Sequence, residues 1–112
     1  MTDIAYLEET DFTNDGKLVI NDPVVCLVYA NWCPPCQQFK PTYYKLADHV
    51  NMKVACIELD GHLPGQKELA DKVKKIIPGM EGTPTVVLFV NGRVVSKYNG
   101  DRSLESLIEF CS

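Results

Sequence analysis

The chain has 112 residues, 46% hydrophobic and 23% charged, which suits one compact domain over residues 1–112 and leaves no room for a second core. A formal net charge of −4 argues against nucleic acid as a partner, because phosphate contacts need clustered lysine and arginine. No apolar run approaches the ~18 residues that span a bilayer, and Met1 to Glu9 has neither the basic start nor the apolar stretch of a secretory leader, so the sequence as given predicts a cytoplasmic protein with no membrane partner.

In chain order, Ile4 to Leu7 is a short strand candidate, and Asn14-Asp15-Gly16 limits any helix near Phe12 to a turn or so. Asn21-Asp22-Pro23 then punctuates the chain before Val24 to Ala30 (VVCLVYA). That run is continuously apolar and rich in β-branched residues, as in a strand buried on both faces. Asn31-Trp32-Cys33-Pro34-Pro35-Cys36 follows at once. Phe39, Tyr43, Leu46 and Val50 then recur at helical spacing, with Pro41 as an internal kink. Lys53 to Leu59 is a further strand. Gln66 to Ile77 is an amphipathic helix with Leu69, Val73, Ile76 and Ile77 on one face, closed by Pro78-Gly79. Its basic residues, Lys67, Lys72, Lys74 and Lys75, alternate with Glu68 and Asp71 and read as a solvated face.

Thr85 to Val90, Asn91-Gly92 and Arg93 to Tyr98 form a β-hairpin pattern, Asn-Gly being the strongest two-residue signal for one. Ser103 is placed to N-cap a last helix that turns Leu104, Leu107 and Ile108 inward. The order β(α)βαβαββα predicts an α/β fold, a central mixed sheet flanked by helices on both faces.

Chemistry concentrates in the cysteines: Cys26, Cys33, Cys36, Cys56 and Cys111. An odd count makes a poor disulfide framework, whereas one close Cys-x-x-Cys pair points to redox catalysis or metal binding. A thiolate is the attacking species in disulfide exchange. At the mouth of a helix, unpaired N–H groups and the positive dipole end favour that anion at Cys33. Cys36, one turn on, is in reach to resolve a mixed disulfide. Pro34 and Pro35 fit the first turn, where N–H groups have no intrahelical use, and they stiffen the loop. A zinc site would need two more ligands, and Cys26, Cys56, Cys111, His49 and His62 supply no second pair; neither metal nor organic cofactor is expected. Cys26 and Cys56 read as small apolar core residues, Cys26 pointing away from the strand face that bears Leu27; Cys111, near the C-terminus, reads as the likelier oxidation liability, and His49 and His62 as surface residues.

The stretch YANWCPPCQQFKP (residues 29–41), Gly82-Thr83-Pro84-Thr85 before a strand, and Gly100 ahead of the last helix together resemble the thioredoxin family over nearly the whole chain. The resemblance implies a thioredoxin fold, with Cys33 as nucleophile and Cys36 as resolving thiol. Trp32 would shield the site and meet the partner, alongside Pro34 and Pro35. Pro84 would be cis, Thr83 would pair through its backbone with an extended substrate, and Gly82 and Gly100 would leave room for it. Implied partners are disulfide-containing proteins and a reductase or glutathione that recycles the pair, the protein acting as a monomer. The activity implied is reduction of protein disulfides. An isomerase or oxidase, or a redox-inactive adaptor on the same fold, is the alternative.

Several positions depart from the family pattern. Leu27 stands where a buried Asp usually serves the resolving thiol, and Cys56 where its companion Lys stands. Cys36 must then lose its proton to water, to Glu58 if that is near, or to a leaving thiolate, which implies slower turnover or a shifted pH profile. The Cys-Pro-Pro-Cys spacer is similar to that of tryparedoxins and nucleoredoxins, and VVCLVYANWCPPC has some disulfide-isomerase-domain character. Residues 61–82 are longer than in a minimal thioredoxin, implying an extended helix there.

Overall fold

A computed structural model describes residues 4–61 and 64–112; His62, expected at the surface, lies outside them. The chain runs β1 (Ala5–Tyr6), a 3-10 turn (Glu9–Asp11), β2 (Val24–Tyr29), α1 (Pro34–Lys45), a second 3-10 turn (Leu46–Asp48), β3 (Lys53–Glu58), α2 (Gln66–Ile76), β4 (Thr85–Val90), β5 (Arg93–Lys97) and α3 (Leu104–Phe110). One five-stranded sheet results, in the order β1-β3-β2-β4-β5. β1, β3 and β2 are parallel, while β4 is antiparallel to β2 and β5 to β4. This is the thioredoxin fold expected from the sequence.

β2 lies in the middle of the sheet because all six of its residues are apolar and can be covered on both sides. Val24, Cys26 and Val28 face Leu69, Val73 and Ile76 of α2, together with Phe12, Leu18 and Phe89. Val25, Leu27 and Tyr29 face Cys36, Phe39 and Tyr43 of α1, together with Leu107 of α3. The two-residue period of the strand thus divides the interior into two cores. Fully burying a side chain of this kind stabilises the fold by about 1.5–3 kcal/mol.

Local signals set the boundaries. Asn91 (φ 53°) and Gly92 (φ 84°) carry the paired left-handed conformation of a tight hairpin turn. Ser103 caps α3 by accepting the Ser106 N–H at 3.2 Å. The helical spacing read through to Val50 overruns: α1 ends at Lys45, and the chain tightens into the 3-10 turn at Leu46–Asp48. Val50 still packs against the α1-side core, which is why its spacing looked helical. Pro41 sits inside α1 on its exposed side. The lysines of α2 are more than a solvated face, since Lys72 pairs with Glu9 at 2.5 Å and Lys75 donates to the Asn14 carbonyl at 2.8 Å.

Candidate active site

β2 ends at Tyr29 and delivers the chain to residues 30–33 at one end of the sheet. Asn31 is held there from two sides. Its backbone N–H donates to both Asp60 carboxylate oxygens at 2.9 Å and its side-chain amide to one of them at 3.2 Å, while Gln37 donates to its carbonyl at 3.1 Å. With its neighbour fixed, Trp32 stands out with 73% of its surface exposed.

Cys33 is the N-cap of α1, in extended conformation, and Pro34 and Pro35 fill the first two helical positions. Those positions have no use for an N–H, so the two prolines start the helix without cost to its ladder. The Cys33 sulfur lies 3.7 Å from the Thr83 carbonyl oxygen, its acceptor when the thiol is protonated. The Thr83–Pro84 peptide is cis, as the resemblance implied. Cys33 keeps 4% of its surface exposed and Cys36, one turn deeper, keeps none. Both are free thiols.

The two thiols are polarised in opposite senses. Burial by itself would push the Cys33 thiol up. The Cys36 and Thr83 side chains, the Cys36 backbone N–H and the Arg102 charge together outweigh burial and hold Cys33 below the ordinary thiol value. Burial pushes the Cys36 thiol up, and donating its proton toward Cys33 pushes it further. The site therefore favours the anion at the outer sulfur over the inner one.

Leu27 and Cys56 are register partners on adjacent strands, both wholly buried, in the same core as Cys33 and Cys36. The interior beneath the pair is apolar, and burial pushes the Cys56 thiol up to about 12. Glu58 is engaged elsewhere: its carboxylate accepts the Tyr29 hydroxyl at 2.7 Å, and the Lys40 ammonium stands 4.5 Å over the Tyr29 ring. Burial also pushes Cys26 up strongly, and Cys26 lies in the opposite core from Leu27, as strand alternation predicted. Cys111 is half-buried and pushed up to about 11 by burial. It remains the most accessible of the three thiols outside the Cys33–Cys36 pair, Cys26 and Cys56 being wholly buried. His49 is exposed, as expected.

Around Pro84 the surface is hollow. A 540 Å³ depression is lined by Glu81, Gly82, Pro84, Thr85, Lys97 and Tyr98. A 160 Å³ cavity lies beyond Pro84, among Phe39, Val86, Tyr98, Gly100 and Arg102. Gly82 is open, with nothing near where a Cβ would stand. At Gly100 a Cβ would run into the Tyr98 ring and hydroxyl, so its want of a side chain serves Tyr98. Reasoning from sequence missed the Asp60 clamp on Asn31, and Tyr98 and Arg102 beside Pro84. Only Arg102, two residues past Gly100, carried any local signal. Among the described residues no three His, Cys, Asp or Glu side chains converge as a metal site, and no helix is long and apolar enough to cross a membrane.

The family model described as Thioredoxin matches residues 3–112. The thioredoxin-like protein 453L of Invertebrate iridescent virus 6 is 33% identical over 107 residues, an alignment covering 80% of this chain and 78% of the viral one. The protein disulfide-isomerase of Saccharomyces cerevisiae is 35% identical over 100 residues, covering 82% of this chain but only 17% of the yeast protein. Among solved structures, a mutant thioredoxin from Halobacterium salinarum superposes with a TM-score of 0.69 at 30% identity, covering 97% of this chain and 88% of that one.

Proposed function

The chain belongs to the thioredoxin family as a thiol–disulfide oxidoreductase domain with a Cys-x-x-Cys pair, and from that premise we propose that it reduces disulfide bonds in other proteins. The Cys33 thiolate attacks one sulfur of the substrate disulfide. That S–S bond breaks, a mixed disulfide with Cys33 forms, and one substrate thiolate leaves. Cys36 then attacks the Cys33 sulfur as its own proton passes to a departing thiolate or to water. The second substrate thiol is released and the Cys33–Cys36 disulfide remains, two electrons having moved to the substrate. A reductase or glutathione returns those electrons. The protein works as a monomer in a reducing compartment such as the cytoplasm. Trp32 and the edge formed by Gly82, Thr83 and Pro84 receive the substrate segment, beside Pro34 and Pro35.

The observation that carries this reading is the placement of the pair: Cys33 caps α1 with its sulfur 3.7 Å from the Thr83 carbonyl beside cis Pro84, while Cys36 is wholly buried one turn deeper, and their surroundings favour the anion at the outer sulfur over the inner. A nucleophile must be charged before it meets the substrate, whereas a resolving thiol must not compete with it. The kinship with disulfide-isomerase domains favours a second reading, in which the couple is more oxidising and the net reaction is isomerisation or oxidation. A glutathione redox titration run beside an insulin-disulfide reduction assay separates them. The reductase reading expects a potential near the reducing end of the family range of roughly −270 to −120 mV and catalysed insulin reduction. It also expects that Cys33→Ser abolishes activity, and that Cys36→Ser accumulates a mixed disulfide. A strongly oxidising couple would favour the isomerase reading, and insulin reduction surviving Cys33→Ser would overturn the mechanism.

A further inference from the structure

The cavity beyond Pro84 has one charged residue in its lining. It is lined by Phe39, Pro84, Val86, Tyr98 and Arg102, and it shares Pro84, Tyr98 and Asn99 with the lining of the larger depression. The two ion pairs among the described residues, Lys72–Glu9 and Arg93–Asp15, leave Arg102 out. The adjacent carboxylate, Asp101, is turned to the start of α3, where it accepts the Ser103 N–H at 3.0 Å and the Ser103 hydroxyl at 2.6 Å. Lys97, the other cation on this surface, is spent on the Gly79 carbonyl at 3.1 Å. Arg102 is also the cation whose field reaches Cys33.

We infer that Arg102 is a specificity residue, favouring protein disulfides that carry an aspartate or glutamate side chain close to the cysteine that Cys33 attacks. This rests on the disulfide-reducing reading above. To reach Cys33, a substrate segment must run past Pro84, and an extended chain advances only about 3.3 Å per residue. The Cys33 sulfur lies 3.7 Å from the Thr83 carbonyl, and the next residue, Pro84, lines the same cavity as Arg102, which brings a residue flanking the cystine toward the guanidinium. Its planar fork of donors matches a carboxylate in a way that an ammonium does not. Arg102 is exposed, so its preference is modest and screened by salt. It acts on which substrate is held, and the atoms and electrons exchanged are unchanged.

Three peptide disulfides identical except for Glu, Gln or Lys beside the cystine test this, with initial reduction rates compared within each protein. The wild type is expected to reduce the Glu peptide about three- to fivefold faster than the Gln peptide at low ionic strength, with Lys slowest and the differences collapsing at high salt. Arg102→Gln should bring the Glu/Gln ratio to one, and Arg102→Lys should keep only part of it. Because each ratio is taken within one variant, any change in Cys33 acidity cancels. A wild-type ratio near one, or an unchanged ratio in Arg102→Gln, overturns the assignment. Failure to reduce any of the three peptides would instead overturn the reducing reading, and the assignment with it.

Discussion

Cys33 and Cys36 lie one helical turn apart, yet their surroundings drive their protons in opposite directions. An acid held below its ordinary value is charged at lower pH, so alkylation of Cys33 should reach half its maximal rate below the value of an unperturbed thiol. Alkylation of Cys36 should do so above that value. Quenched alkylation followed by peptide mass spectrometry reads both midpoints in one sample, and a Cys33 midpoint at or above the unperturbed value would remove the basis for calling it the nucleophile. Leu27→Asp extends the same experiment. It puts a carboxyl into the apolar interior shared by Leu27, Cys56 and Cys36, where it can accept the Cys36 proton but is costly to bury. The variant should be less stable, with a displaced Cys36 profile; an unmoved profile means that Leu27 has no bearing on how Cys36 ionises. The pair itself was plain in the sequence because its determinants are local: an apolar strand, a helix start, two prolines. The carboxylate clamp from Asp60 to Asn31 was not, because the partners are 29 residues apart and meet only once β2 and β3 lie side by side.

At the scale of elements, the hairpin was read from two residues and the end of α1 was misread from four. Asn91-Gly92 specifies its turn because both residues must take positive φ, a demand few other pairs meet. The 3.6-residue period of Phe39, Tyr43, Leu46 and Val50, by contrast, records only that each faces the core, which Val50 does from outside the helix. A periodic pattern sees burial, whereas a turn signal sees backbone geometry, so the second fixes boundaries better. Gly92 measures how much that geometry matters. It lies at φ 84°, and a Cβ there would overlap the Leu18 carbonyl oxygen, which belongs to a different segment and cannot swing away as a flexible side chain would. Gly92→Ala combines a left-handed penalty of about 1–2 kcal/mol with that overlap, so a loss of at least about 2 kcal/mol is expected in urea titration. The turn is at the far end of β4 from Thr83 and Pro84, so the alkylation midpoint of Cys33 in the folded variant should not move. A midpoint that shifts would mean the hairpin turn and the site are coupled through β4.

Across the whole molecule, the fold handles its thiols unequally, and the consequence reaches stability. Cys26, Cys36, Cys56 and Cys111 are all pushed up, by burial first in each case, and Cys33 alone is held down. A thiol whose proton is held more tightly when folded stabilises the native state fully below its unfolded value, and that stability is lost as pH rises toward the folded value. Cys33 works the other way, its contribution being lost as pH falls through its folded value. Four thiols against one give the reduced protein a stability that is steady near neutrality. It should decline from about pH 8.5, before the tyrosines begin to add to it near pH 10. Between the unfolded value and about 12 for Cys56, that one residue contributes a limiting slope of about 1.4 kcal/mol per pH unit. Urea titrations of the fully reduced protein from pH 7 to 10 should therefore show a falling midpoint. Cys56→Ala should start lower, because it leaves a cavity, but should fall less steeply. If the variant and the wild type run parallel, Cys56 ionises as easily in its core as in the unfolded chain. The interior beneath Cys33 and Cys36 would then be far wetter than its packing implies.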